Sequence, residues 1–298
     1  MGEPAAVTTV PATADLRRDF ADRDALIAYL SGAFPGAAER DSHVAPVRGG
    51  RVAAEERLAT IRPREYAWTR NETSGDVTRL SAYIRHGVLT LTEVRTAAID
   101  RVNRRGDVRK FIQELAWRDY YQRLYAEEGD AIVWESWEDW KTGYGPDDYA
   151  DTLPDDIRVG ATGLPCMDAF VADLYATGYL HNHARMWLAA YVVHWRRVDW
   201  RPGAAWFLEH LIDGDPASNN LSWQWVASTF GVKPYIFNQE NLERHTGGQY
   251  CRTCPLLGRC DFEGSYDELR RELFRPVPWS SGLASGTRGD GGRLGSHR

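Results

Sequence analysis

The run HLIDGDPASNNLSWQW, residues 210–225, gathers two carboxylates (Asp213, Asp215), two amides (Asn219, Asn220) and two indoles (Trp223, Trp225). Carboxylates and amides can address the edge hydrogen bonds of a planar heteroaromatic ligand, and tryptophans can line its approach. The same residue types also make an Asp/Asn-rich turn that caps the next helix, with buried indoles behind it, and the residues alone leave both open. Upstream, HNHARMWLA puts Asn182, Arg185, Met186 and Ala189 on one helical face, at offsets of three, four and seven. FIQELAWRDYY does the same with Glu114, Trp117, Arg118 and Tyr121. An Arg or Glu turned inward among apolar residues needs a partner, because an unpaired buried charge is costly. Asp213 is the partner expected for Arg185. A pair of amphipathic helices with surface salt bridges is the plainer alternative, above all for the Glu114 helix.

A second chemistry-bearing run is CRTCPLLGRC, with Cys251, Cys254 and Cys260 in a chain whose other cysteine is Cys166. In a reducing compartment four cysteines bind metal or stay as thiols more readily than they form disulfides. Four thiolates suit a structural zinc or an iron–sulfur cluster, and the residues by themselves lean toward zinc.

These residues need elements to hold them. At 298 residues the chain can bury a large core. Segments such as VAAEERLATI, RKFIQELAWRDYYQRLYAEE, MDAFVADLYATG, ARMWLAAYVVHWRRV and GAAWFLEHLI carry apolar residues at three- and four-residue spacing, without strand alternation, so the expected class is all-α. Loops are expected at KTGYGPDDYADTLPDD and DGDPASNN, where Gly, Pro, Asp and Asn gather. Residues 1–15 and the Gly/Ser-rich tail 276–298 read as disordered, leaving a helical domain over 16–275 with the cysteine-rich segment 251–260 at its end. No run approaches the length of a membrane helix, and the start lacks the apolar core of a secretory signal, so a cytoplasmic protein is expected. The net charge of −6 argues against coating nucleic acid by bulk electrostatics, although RVNRRGDVRK (101–110) and Arg196, Arg197 and Arg201 are candidates for a local basic groove. A solvated helix face is the bland alternative for each. Twelve tryptophans suggest stacking or electron transfer besides packing.

Taken in order, GGRVAAEERL, YAWTRN, VTRLSAYIRHGVL, ELAWRDYY, TGLPCMDAFVADLYATGYLHNHARM, VDWRPGAAWFLEHLIDGDPASNNLSWQWVAS and PYIFN resemble the flavin-binding helical domain of the photolyase and cryptochrome family. The resemblance runs from about Gly49 to about Asn238. It implies FAD in a cavity of a helical domain, with the isoalloxazine ring at the base of a pocket for an extruded pyrimidine dimer. By position, Tyr66, Thr78, Leu80, Ser81 and Arg118 would hold the cofactor, the middle three at its phosphates. Asn219 would face flavin N5, and Asp213 and Asp215 would sit at the ring and ribityl, with Arg185 paired to Asp213. Glu114, Trp117, Asn182, Met186 and Trp225 match pocket positions, where the indoles would clamp flipped-out bases and Glu114 would meet a thymine edge. Trp223 and Trp200 match the photoreduction chain, while Trp134, Trp137 and Trp140 are better explained by packing or surface stacking. The implied chemistry is electron transfer from light-excited reduced FAD to a cyclobutane dimer.

The sequence also departs from the family. Only about 48 residues precede GGRVAAEERL, where family members usually carry an antenna-binding α/β domain, so no antenna chromophore is expected. Val77 replaces a usual Thr, and His183 stands where many dimer photolyases carry a DNA-facing Arg. With the acidic charge, this favours single-stranded DNA containing pyrimidine dimers, in which flipping costs less. Cys166, Cys251, Cys254 and Cys260 resemble the cysteines of a bacterial branch that holds a 4Fe-4S cluster, which moves the metal expectation from zinc to the cluster. A cryptochrome-like light or redox sensor is the alternative function. Six-four lesion repair is disfavoured, since it depends on a pocket histidine pair and only His181 and His183 are near.

Overall fold

The structure is a computed structural model that describes residues 16–40 and 44–276. The disorder expected for 1–15 and, apart from Pro276, for the tail falls outside the described residues. Among those described, the expected all-α class holds: there are helices and turns, and the only extended pairing is a single bridge between Ala150 and Val198. No described helix is long and apolar enough to cross a membrane.

The chain divides into two compact units, one ending at Val47 and one beginning at Arg48. The first contains α1 (Arg23–Ala33) and α2 (Pro35–Arg40), with Asp22 capping α1 through the Ala25 amide at 2.8 Å. The second opens with α3 (Arg51–Leu58), α4 (Pro63–Thr69), α5 (Ser81–Arg85) and α6 (Leu91–Ile99). After a tight turn at Arg105–Val108 come α7 (Arg109–Glu128), α8 (Asp130–Trp134), α9 (Asp155–Arg158) and α10 (Pro165–Thr177). The remaining helices are α11 (Asn182–Ala190), α12 (Trp200–His210), α13 (Pro216–Ala227), α14 (Gln239–His245) and α15 (Tyr266–Leu273).

The hub is α13, which packs against α7, α8, α11 and α12. Asp215 caps it by accepting from the Ala217 amide at 3.2 Å, and Pro216 fills its first position, where no amide donor is needed. DGDPASNN is therefore loop only up to Asp215, because the carboxylate and the proline that suggested a turn are helix-starting residues. Buried amides of α13 complete α8: Asn220 Nδ2 donates to the Val133 carbonyl at 2.6 Å and Gln224 Nε2 to the Ile132 carbonyl at 2.7 Å. Those carbonyls lie at the end of α8, where intrahelical donors run out. Around α13 the fully buried side chains include Met167, Trp187, Leu188, Trp200, Phe207, Phe237 and Phe262.

Helix α10 links two regions. Cys166 lies buried in its first turn, and Gly178 ends it in a left-handed conformation at φ 63°. The Gly178 carbonyl accepts the Ile212 amide at 2.9 Å, and a Cβ at this glycine would come within 2.6 Å of Ile212 Cγ2. A side chain is excluded there on both counts.

Candidate functional site: a polar cavity walled by the hub helix

A cavity with about 710 Å³ of space, part of it continuous with solvent, opens between α5, α7, α11, α12 and α13. This is the size range of small-molecule and cofactor sites. Its walls contain Ser81, Arg118, Asn182, Arg185, Met186, Asp213, Asp215, Asn219 and Trp223. With Ala189, ten of the residues singled out in the sequence thus meet in one space. Tyr66, Thr78, Leu80, Glu114, Trp117, Trp200 and Trp225 are not among its lining residues.

The i, i+3, i+4 face of α11 delivers Asn182, Arg185 and Met186, and the amide of Asn182 lies 3.4 Å from Met186 Sδ. Arg185 donates to Asp213 Oδ2 at 2.9 Å, the pairing expected from charge alone. Burial pushes the Asp213 carboxyl up, but the Arg185 charge and its hydrogen bond together outweigh that and hold it below the usual range. Among the described residues, Asp213 Oδ1 is buried without a hydrogen-bond partner, and so is Trp223 Nε1. One orphaned acceptor and one orphaned donor on the wall of a cavity are what a polar ligand would satisfy.

Asp215 lines the cavity and is also held by several groups of the protein. Besides its cap, Oδ2 accepts from Gln122 Nε2 at 2.5 Å and Ser218 Oγ at 2.9 Å, and forms an ion pair with the Arg118 guanidinium at 3.1 Å. The protein itself uses its lone pairs, so Asp215 anchors Arg118 and the hub helix. Asn219 donates through Nδ2 to the Ala204 carbonyl at 2.9 Å and to Asn220 Oδ1 at 2.8 Å, while among the described residues no donor is found for its own side-chain oxygen. Asn220, grouped with it in sequence, points to α8 and is structural.

Trp117 and Trp225 are partly exposed, at 36% and 40%. Trp117 packs against Tyr120 and Tyr121, Tyr121 against Phe230, and Trp225 against Tyr235, giving two aromatic clusters. Glu114 is held by Lys110 at 3.0 Å and by Arg70 at 3.9 Å. Thr78 Oγ1 accepts from the Leu80 amide at 3.3 Å, Leu80 is core, and the Tyr66 ring meets Phe111 edge-on at 5.1 Å. Trp200 is fully buried and donates to Ser136 Oγ at 3.2 Å, next to exposed Trp137. The ring edge-on against Trp223 is Phe207 at 5.0 Å, followed by Trp206 at 5.4 Å, whose indole donates to Tyr175 Oη at 2.9 Å.

His181 and His183 do not line the cavity. His183 stacks on His245 of α14 at 4.8 Å and leans on Trp187 at 5.1 Å, while His245 Nδ1 lies 2.9 Å from Glu72 Oε1. Burial lowers the His181 pKa to about 4; burial, then the neighbouring His245, lowers that of His183 to about 3.

Residues that the sequence did not single out are Gln122, Phe207, Gly214, Ser218, Ser222 and Val226, and Gly203 behind Trp223. Gly203 left a signal: a glycine inside the helical run PGAAWFLEH marks close packing.

The four cysteines line a second cavity with Gln239, Leu242, Tyr250, Leu257 and Phe262, about 340 Å³ and partly continuous with solvent. The donor set suits a soft metal, and Cys166 is brought to the other three as expected. Among the described residues, however, no three His, Cys, Asp or Glu side chains stand in a metal-holding arrangement, so the coordinating group expected at Cys166, Cys251, Cys254 and Cys260 is not present as such. All four are free thiols. Burial pushes Cys166 up to about 12 and Cys251 to about 11, with neighbouring acidic groups and thiols adding to it, so they are neutral in this arrangement.

Residues 111–253, which hold most of this cavity wall, match the FAD binding domain of DNA photolyase. The deoxyribodipyrimidine photo-lyase of Streptomyces griseus is 36% identical over 169 residues, covering 55% of this chain and 35% of the relative. That of Neurospora crassa is 32% identical over 239 residues, 74% of this chain and 35% of the relative. The chain therefore spans about a third of the length of these curated relatives. Among solved structures, a class III photolyase from Agrobacterium tumefaciens aligns with a TM-score of 0.57 at 26% identity, over 72% of this chain and 45% of that one. An archaeal photolyase from Sulfolobus tokodaii, solved with two FAD molecules, aligns at 0.56 and 29%, over 67% and 45%. The domain that these residues form belongs to the photolyase and cryptochrome family.

Proposed function

We propose that the chain is a light-driven DNA repair enzyme that splits cyclobutane pyrimidine dimers, with reduced FAD in the polar cavity. The observation that carries this is the cavity itself. Among the described residues, Asp213 Oδ1 and Trp223 Nε1 are left without partners on a wall that also presents Asn182, Arg185, Met186 and the side-chain oxygen of Asn219. FAD, when bound, supplies the photoexcited electron donor. The protein's part is to bind, orient and keep water out. Asp213, held ionised by Arg185, and Arg118, anchored by Asp215, set fixed charges at the cavity, and Asn219 adds an acceptor. Trp117 and Trp225, both partly exposed, suit stacking with extruded bases, worth about 1–3 kcal/mol per base. Glu114, between Lys110 and Arg70, suits a thymine edge. Trp200 and Trp223 would return electrons to the cofactor from the surface.

Single-stranded DNA is the preferred substrate on this reading, because the position of a DNA-facing Arg is filled by a histidine that is buried. The four cysteines would hold a 4Fe-4S cluster, or zinc, in their shared cavity; convergence of all four on one space supports this. The line of rings from Trp223 through Phe207 and Trp206 to Tyr175 favours, as a second reading, a light or redox sensor.

The test is photorepair. The photoreduced full chain with FAD should restore thymines in single-stranded oligonucleotides carrying a thymine dimer under blue light and not in the dark. Trp117→Ala should lose dimer affinity while keeping FAD. No restoration on single- or double-stranded substrate, with flavin photoreduction intact, would select the sensor.

A further inference from the structure

RVNRRGDVRK carries five basic residues against one acid in a chain of net charge −6. It forms the Arg105–Val108 turn and the start of α7, both of which pack against α4. Arg104, Arg105 and Arg109 are exposed, and Arg64 on α4 is exposed too. Among the described residues none of these four guanidinium groups has an ion pair. This contrasts with Arg62, paired to Asp76, and with Arg70 and Lys110, which hold Glu114. On α4, one turn from Arg64, stands Trp68. It is 82% exposed, and among the described residues its ring enters no aromatic or cation contact. Tyr66, two residues earlier, is the one turned inward, onto Phe111. A tryptophan that gives up burial, beside four unneutralised arginines, fits a partner with aromatic faces and regular negative charge. The surface also lies beside Glu114, the residue that the proposed function sets against a thymine edge. Glu114 touches Arg70, next in sequence but one to Trp68, and Lys110, next to Arg109.

We propose that α4, the Arg105–Val108 turn and the first turn of α7 form a seat for the single-stranded DNA that flanks the pocket. Trp68 stacks a base there, and Arg64, Arg104, Arg105 and Arg109 bind phosphates. This rests on the repair reading, and it adds the side on which the strand leaves the pocket. Stacking on Trp68 alone is of the order of five- to hundredfold in affinity. For single strands each phosphate contact contributes about 0.7 to the steepness of log K against log salt.

The experiment uses the FAD-loaded full chain and two ligands: a thymine-dimer dinucleotide, too short to reach the surface, and the same dimer centred in a single-stranded oligonucleotide. Affinities are measured by competition at several salt concentrations for wild type, Trp68→Ala and Arg104→Ala/Arg105→Ala. The expected result is oligonucleotide affinity down about tenfold or more for each variant, with unchanged dinucleotide affinity. The double arginine variant should also flatten the salt slope by about 1.4. Unchanged oligonucleotide binding overturns the proposal, as does an equal loss on both ligands, which would place these residues in the pocket or the fold. All three side chains are exposed, so thermal melting should not move. If wild type does not prefer dimer-containing DNA while the variants still lose oligonucleotide, the repair reading fails and the strand seat stands. If wild type binds no oligonucleotide, both fall.

Discussion

Gly203→Ala tests whether the wall of the polar cavity is as tightly set as the structure has it. Gly203 lies buried in α12, and a Cβ built on it would stand 2.3 Å from Trp223 Cη2 and 2.4 Å from Cζ3. Ordinary contact begins at 3.4 Å, so the indole must retreat by about 3.4 − 2.3 = 1.1 Å. It cannot do so freely, because Phe207 packs against it edge-on at 5.0 Å and its helix is fixed at both ends. In an unhindered helix the substitution would stabilise by about 1 kcal/mol through propensity. Overpacking of a tight core costs about 1–3 kcal/mol, and a clash this deep belongs at about 2–3 kcal/mol. Where the close partner is a rigid ring, the second effect wins, and a net loss of about 1–2 kcal/mol is expected. At about 2–4 °C per kcal/mol for a domain of this size, melting should fall by roughly 2–8 °C. The displaced indole intrudes on the cavity, so FAD retained through gel filtration should fall as well. A variant that melts higher than wild type and keeps full flavin would refute the contact and the cavity wall drawn from it.

Arg185→Met leaves the Asp213 carboxylate, 4% exposed, without its cation and should cost about 3–5 kcal/mol in urea unfolding. Adding Asp213→Asn should recover part of that loss, and no recovery would show the pair is not the cause. Acid should destabilise the fold through His181, His183 and His194, whose folded pKa values are lowered to about 4, 3 and 4 by burial first. Below about pH 6.5 the unfolded chain binds these protons and the folded chain does not. Stability is therefore full above that pH and declines as pH falls toward 4, by up to about 1.4 kcal/mol per unit for each histidine. Equal urea midpoints at pH 7 and pH 5 would contradict the buried imidazoles. Iron and acid-labile sulfide, assayed against zinc, should identify one metal centre per chain. Cys254→Ala should abolish it and expose segment 251–260 to protease while FAD remains, and unchanged metal content would remove Cys254 from the ligands.

The helical class was legible because apolar spacing near 3.6 is a local property, and so was the face of α11. The Arg185–Asp213 pair could be anticipated from the cost of burying a lone charge. What sequence could not supply were commitments made at long range. Gln122 meets Asp215 across 93 residues and Asn220 meets Val133 across 87, so the contacts that hold Asp215 and Asn220 arise only from what folding brings against them. His183 was legible as a departure from the family, but its burial depends on α14 arriving to stack on it. The start of α13 was misplaced because Asp and Pro serve turns and helix caps alike.

The thirteen residues of α10 span about 20 Å at 1.5 Å per residue, from Cys166 to the Gly178 contact with Ile212, the residue before Asp213. A rod of that length with no tolerance at its far end makes the Ile212 amide a distant gauge. Its hydrogen-exchange rate should register whether the cysteine end is ordered, without any probe placed at the sulfurs.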